Sequence, residues 1–345
     1  MALHQTIQNI LLLGVRFAAP PAFVKAQQPK ELTPLIAAIA PSHLAFNARA
    51  VEYGHRYRSA FWALYLLSAL AVLSAALPLA LGWDDARSRM AHFSGVWVLT
   101  ELLIILLVAS IYWRGHRQDW QGQWLAARTK AELAWYLPLL APLIDFSVAD
   151  SAQNWYARLF DHGEYCEVGD DLNVLCTRNA ALAQDCLATA WSEPQFVVSY
   201  TRWAVAMLES QRLYHLQVAR RQHALRNRVH GINGWLFGLT AVAAATHLLV
   251  HSRILTLLTT FCPALVAALH GALAQSEAYR LEATSERLAN ELEALLAALR
   301  QSLQRPDPLS TVPELRETIQ SSLQLILNEH KDWHMLVRPH HLPLG

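Results

Sequence analysis

The chain has 345 residues, 54% of them hydrophobic and only 16% charged, against about 25% charged in an ordinary soluble domain. Its mean hydropathy is positive, at +0.19. The formal net charge of +1 gives no single-sign field, so no nucleic-acid partner is expected.

In chain order, the first feature is a short apolar stretch from Ile10 to Phe17. No basic flank precedes it and no clear small-residue cleavage site follows, so it does not read as a signal peptide. The first long apolar segment runs from Ser59 to Leu81 and holds no charge. The second runs from Ser94 to Trp113, and its only charge is Glu101. Each spans a hydrocarbon layer ~30 Å thick at ~1.5 Å per residue. The polar turn GWDDARSRMAHF joins them into a hairpin. Between Phe146 and Ala190 the sequence is mixed, with an acidic loop in DHGEYCEVGDDLN. Cys166, Cys176 and Cys186 are spaced ten residues apart, which matches no zinc motif, and together with Cys262 they read as reduced structural thiols.

From Glu193 to His230 an uninterrupted polar helix is expected, with Pro194 suited to its first turn. It leads into a third apolar segment, Trp235 to His251, short enough that a buried soluble hairpin is the competing reading. A fourth follows from Ile254 to Ala274. Beyond it, Leu281, Leu288, Leu292, Leu295 and Leu299 recur at helical spacing as a packing stripe. Helix is also expected from Arg114 to a stop near Pro138, and from Pro313 to Trp333 with Ser310, Thr311 and Glu314 as capping candidates.

Lys and Arg set the orientation. Of 28, only Arg87, Arg89 and Arg253 fall in the two hairpin turns. The positive-inside rule places both termini and the middle region in the cytoplasm. The expected fold is therefore an all-α membrane protein with four transmembrane helices in two hairpins, extended by long helices into a helical cytoplasmic region. The expected divisions are 1–58, a first hairpin at 59–113, a helical region at 114–234, a second hairpin at 235–274, and C-terminal helices at 275–345. The two halves share a basic, aromatic lead-in and a trailing polar helix, a weak sign of duplication.

Glu101 lies inside an apolar segment, where a carboxylate faces either a bundle interior or a watery path. It reads as a pore, ion or protonation site, or as a protonated acid bonded to neighbouring helices. His247 lies at a similar depth, within reach of a Glu101 contact. Thr100, Thr240, Thr259 and Thr260 either line a polar path or bond helix backbone. Arg220, Arg221, Arg226 and Arg228 form the strongest basic cluster, read as a lipid-headgroup belt or a site for a phosphorylated ligand. His215, His223 and His230 lack the spacing of a helical metal pair, and His340 and His341 read as a solvated tail. No metal, cofactor or enzymatic motif is expected: GxSxG, HExxH, GxGxxG and GxxxxGK are all absent.

Tyr57-Arg58, with Trp124, Arg128 and Ala131-Glu132, resembles the SLATT-type bacterial membrane module. That module names effectors associated with SMODS nucleotide synthetases and SLOG nucleotide-sensor domains. The stretches YHLQVARRQHALRNRVHGINGWLFGLTAVAAATHLL, FCPALVAALHGALAQSEAYRLEATSERLA and DWHMLVRPHHLPL are similar to membrane regions downstream of SLOG-like sensors. The resemblance spans roughly Arg49 to the end. It implies an inner-membrane effector of antiphage defence that oligomerises into a pore or disrupts the membrane on a nucleotide signal. The segment before Ser59 is too short for a nucleotide-binding sensor fold. A cyclic nucleotide acting on the middle region, or a separate sensor protein, is then the expected partner, besides the bilayer and further copies of the chain. The competing reading is a non-conducting anchor for a cytoplasmic partner.

Overall fold

A computed structural model of the chain describes residues 2–15, 17, 27–83, 94–143, 178–179, 181–185 and 190–337, from 329 onward by backbone alone. The turn with Arg87 and Arg89, the acidic loop, Cys166, Cys176, Cys186, His340 and His341 lie outside the described residues. So do the last residues of DWHMLVRPHHLPL.

The helices are α1 (Leu3–Leu11), α2 (Thr33–Leu81), α3 (Ser94–Arg117), α4 (Trp120–Leu140), α5 (Pro194–Leu249), α6 (Arg253–Gln275), α7 (Ala278–Ser302) and α8 (Val312–Val337). No strand occurs among the described residues. Four helical stretches are long and apolar enough to cross a membrane, within α2, α3, α5 and the α6–α7 run. This is an all-α membrane protein. Three of the four apolar segments read from the sequence fall wholly inside helices; the third, Trp235 to His251, overruns α5, which ends at Leu249, by two residues. Helix α2 ends at Leu81, where Gly82 adopts a left-handed cap.

Two helices organise everything else. At 49 and 56 residues, α2 and α5 are about 73 and 84 Å long at ~1.5 Å per residue. The expected divisions at 58/59 and 234/235 fall inside them without any interruption. Each long helix pairs with two shorter ones laid end to end. Along α2 these are α3 and then α4; along α5 they are α6 and then α7. The chain thus forms two hairpins of one plan, each with an apolar half and a polar half. The polar halves, with α8 packed on α4, α5 and α7, form a stalk.

The returning arm of each hairpin bends at one non-glycine residue with positive φ: Asp119 (43°) and Glu277 (54°). Asp119 tolerates that conformation because its short carboxylate bonds locally. It accepts the Gly122 N–H at 3.1 Å and so caps α4. A side chain on Gly122 would collide with that carboxylate.

Two cores hold the assembly. In the stalk, Leu35 and Ile39 of α2, Leu133 to Leu140 of α4, and Phe196, Tyr200 and Leu208 of α5 meet α7 and α8. From the leucine stripe of α7, Leu288, Leu292 and Leu299 are buried; Leu296 joins them, while Leu295 is half-buried. The second core lies where stalk meets apolar hairpins, around Tyr57, Phe61, Trp62, Trp124, Leu225 and Leu273. Above it α2 and α6 approach closely: a Cβ on Gly271 would run into the Tyr65 ring, the small-residue contact typical of membrane helices.

Two sequence expectations need correction. The helix expected from Arg114 onward is interrupted at Asp119 and restarts at Trp120, then ends at Leu140, near the expected stop and two residues beyond Pro138, in a further 3-10 turn. The carbonyls beyond Pro138 are satisfied from outside: Tyr200 donates to Leu139 at 2.6 Å, Trp191 to Pro142 at 2.6 Å, and Arg316 to Leu143 at 2.9 Å. Ahead of α8, it is the Asp307 carboxylate that accepts a backbone N–H, from Leu309 at 3.1 Å. Glu314 pairs instead with Arg305 at 2.7 Å.

Gly122→Ala is expected to displace the Asp119 cap and cost about 1 kcal/mol, while Asp119→Asn retains both cap and bend. Thermal unfolding of the detergent-solubilised protein checks this; equal melting of wild type and Gly122→Ala would remove the cap from the account.

Candidate functional site

In the apolar half, α2 packs against α3 and α6, and α6 packs against α5. The helices therefore lie in an open row, α3–α2–α6–α5. Large apolar side chains stand exposed on the two edge helices, among them Leu103 (57%) on α3 and Val242 (65%) on α5.

Glu101 belongs to the face of α3 that also carries Ile104, Val108 and Ile111 and packs toward α2. It is half-buried, and no hydrogen bond or ion pair joins it to another described residue. His247 sits on the opposite edge, two residues before the end of α5. Its Nδ1 is buried without a partner, and its ring lies 5.7 Å from that of His251. Glu101 and His247 are not brought into contact within the chain. The threonines bond their own helices: Thr100 to Val96 O at 2.8 Å, Thr240 to Leu236 O at 2.8 Å, Thr259 to Leu255 O at 3.1 Å and Thr260 to Thr256 O at 2.8 Å.

The four arginines read as one cluster diverge around α5, because a helix turns ~100° per residue. Arg226 faces α7, where Glu282 holds it at 3.0 Å and the Tyr279 ring lies 5.4 Å away. Arg221 and Arg228 turn to the N-terminal helix. Arg221 donates to Gln8 at 3.3 Å, and Arg228 donates to Leu13 O at 3.2 Å. Arg220 is exposed. The three helical histidines all face α7 but meet different partners there. His223 meets Glu282 at 2.7 Å and His230 meets Tyr279, whereas His215 is buried beside Ser285 at 3.4 Å. Among the described residues no group of three His, Cys, Asp or Glu is arranged to hold a metal ion.

A cavity of about 430 Å³ opens at the top of the stalk, between the two hairpins. One wall comes from α2 and α4, the other from α5 and α7, and the α6–α7 bend closes the top. Arg58, the last residue before the apolar run, points its guanidinium over the Trp124 ring at 5.1 Å. Trp124 in turn stacks on Tyr57 at 5.6 Å, and Gln275 donates to the Tyr57 hydroxyl at 2.9 Å. Burial pushes the Tyr57 phenol up to about 12, so it stays neutral. Gly54 makes room for this stack, since a Cβ there would lie 2.8 Å from the Trp124 indole nitrogen. Arg128 pairs with Glu132 on the same wall.

The N-terminal helix α1 covers one side. His4 is buried and its Nδ1 lies 3.1 Å from Ser59 Oγ, while Gln5 and Gln8 face the cavity. Ile10 near the end of α1 and Leu13 in the turn after it are 61% and 72% exposed. The helix docks through His4 beside Ser59, where the apolar run of α2 begins, as suits an interfacial helix. Burial, and then the charges of Arg58, His55 and Arg221, lower the His4 pKa to about 4.

Sequence reading noted Tyr57, Arg58, Trp124, Arg128 and Glu132 only as marks of a resemblance. Their convergence on one cavity is a product of helix pairing. A small residue, Gly54, one turn before a basic-aromatic pair was the local signal for close helix approach.

His4 binds fewer protons folded than unfolded between pH 6.5 and about 4. Its contribution to α1 docking is thus fully present above that window and weakens as pH falls through it. An NMR titration of the His4 ring should give a midpoint near 4, and a midpoint near 6.5 would contradict the docked, buried position. Comparison of the chain with protein-family models, with curated proteins and with solved structures finds no match, which leaves function to be argued from this geometry.

Proposed function

We propose that the protein is a bacterial inner-membrane effector of nucleotide-signalled antiphage defence, whose copies assemble to open a pore or disrupt the bilayer. The observation that carries this reading is Glu101. A carboxylate inside an apolar helix is costly and needs a polar partner or a watery path, yet among the described residues Glu101 has no partner. The open row α3–α2–α6–α5 has the same incompleteness. Four helices in a row enclose no path, so conduction requires further copies beside the edge helices α3 and α5, which carry Glu101 and His247. The resemblance to SLATT-type modules supports the defence setting. The strong bias of Lys and Arg away from the hairpin turns supports a cytoplasmic stalk. The stalk is then the part that receives the signal, from a cyclic nucleotide or from a separate sensor protein.

The test is dye leakage from liposomes holding the purified protein, over a range of protein-to-lipid ratios and with or without cyclic nucleotides. Leakage is expected to rise more steeply than the first power of that ratio, and Glu101→Gln should lower it several-fold at equal reconstitution. Absence of leakage at every ratio and with every nucleotide would replace this reading with that of a non-conducting membrane anchor.

A further inference from the structure

Arg58 presents a problem that the described residues do not solve. Its guanidinium is permanently charged, and burial works against that charge. Buried charges in proteins are normally paired. Among the described residues no carboxylate pairs with Arg58, and its Nε is buried with no hydrogen-bond partner. Among the described residues its favourable contacts are the face of Trp124 and the Tyr214 phenol, and a cation on an aromatic face leaves in-plane N–H donors available. A second orphan lines the same cavity: the side-chain oxygen of Gln222 is buried and unbonded. An amide turned over would present its NH2 there instead.

The surrounding charges reinforce the cation rather than cancel it. Arg128 is matched by Glu132. Arg221, on the rim, donates to the neutral side chains of Gln8 and Asn9 among the described residues. Glu277 is the remaining acid on the wall, at the α6–α7 bend. His4 reports the resulting field, since Arg58 and Arg221 both act to keep it unprotonated. The cavity is also larger than a bare ion needs, and lies within the size range of small-molecule sites. Tyr57, Phe61 and Tyr214 supply apolar surface beside the charge.

We propose that this cavity binds a phosphorylated molecule, with the phosphate on Arg58 and Arg221 and the organic remainder against the aromatic wall. Planar, bidentate donation to phosphate oxygens is what an arginine guanidinium does best. Two sources carry that chemistry to this position. A soluble phosphorylated ligand would enter from the stalk side, and a lipid headgroup would enter beneath α1, beside the exposed apolar Ile10 and Leu13. Either would touch both hairpins at once, because the cavity is walled by α2 and α4 on one side and α5 and α7 on the other. The site bears on the trigger of the effector proposed above, but binding is measured on the dispersed protein and stands or falls without conductance.

The experiment uses the full chain in a zwitterionic detergent. Inorganic pyrophosphate is titrated by calorimetry, and phosphatidylglycerol retention is counted by native mass spectrometry against phosphatidylcholine. The expected result is saturation by one probe at one per chain. Arg58→Gln and Arg221→Gln should each weaken it roughly tenfold or more, as for lost hydrogen bonds to a charged group. Binding should also move the His4 titration upward from about 4, because an added anion favours the imidazolium. Saturation by pyrophosphate assigns the site to a soluble ligand, and selective retention of phosphatidylglycerol assigns it to a headgroup. Arg221 is exposed on the rim, so its variant keeps the test decisive if Arg58→Gln fails to fold. Wild-type affinity in the Arg221→Gln variant, or no saturation by either probe, would overturn the proposal.

Discussion

A backbone in hydrocarbon has no water to bond, so every crossing must satisfy its own N–H and C=O groups. That constraint shapes this chain far beyond the bilayer. It favours α2 and α5 as unbroken rods that start deep in the stalk and end at the far side of the apolar half. It also displaces the bends of the returning arms. Asp119 and Glu277, the non-glycine residues with positive φ among those described, both lie at the boundary between apolar and polar halves, where free backbone groups find partners.

The bends have a consequence for the stalk. Because each returning arm changes direction there, the two hairpins separate just below the apolar half. Tight packing resumes further down, where α8 bridges α4, α5 and α7. The space between is the cavity, bounded by the junction core above and the stalk core below. Ion pairs brace the second hairpin, between α5 and α7. Glu209 is set between Arg212 and Arg300 at 2.7 and 3.0 Å, linking α5 to α7. Those guanidiniums hold its carboxyl below the usual carboxylate range. Two hairpins with a polar gap between them form an arrangement through which occupancy of the gap is able to reposition the apolar halves. Such a response follows only if the occupant binds one arrangement better than the other.

Much of the fold was legible because hydropathy reports directly on what must avoid water. The four apolar segments, the end of α2 at Gly82 and the buried Leu288, Leu292 and Leu299 all follow from composition and period. Proline punctuation was approximate: Pro138 lies inside α4, two residues before its end, where side chains from α5 and α8 satisfy the carbonyls just beyond it. The candidate site was legible as residues and not as a place. Arg220, Arg221, Arg226 and Arg228 are neighbours in sequence, but helix rotation sends them to three different surroundings. Arg58 and Trp124 are far apart in sequence and meet because α4 folds back along α2. Pairings of that kind depend on helix rotation and bend angle, which a one-dimensional pattern does not encode.

The central claim is that two hairpins cross the membrane with the stalk and both cavity walls on the inner side. Accessibility of single cysteines to an impermeant thiol reagent tests it most directly, in a background lacking Cys166, Cys176, Cys186 and Cys262. Ser252→Cys, in the turn between α5 and α6, should be labelled from outside intact cells. Ser310→Cys, ahead of α8, should be labelled only after the membrane is opened. Labelling of Ser310→Cys in intact cells, or protection of Ser252→Cys from the outside, would contradict the account.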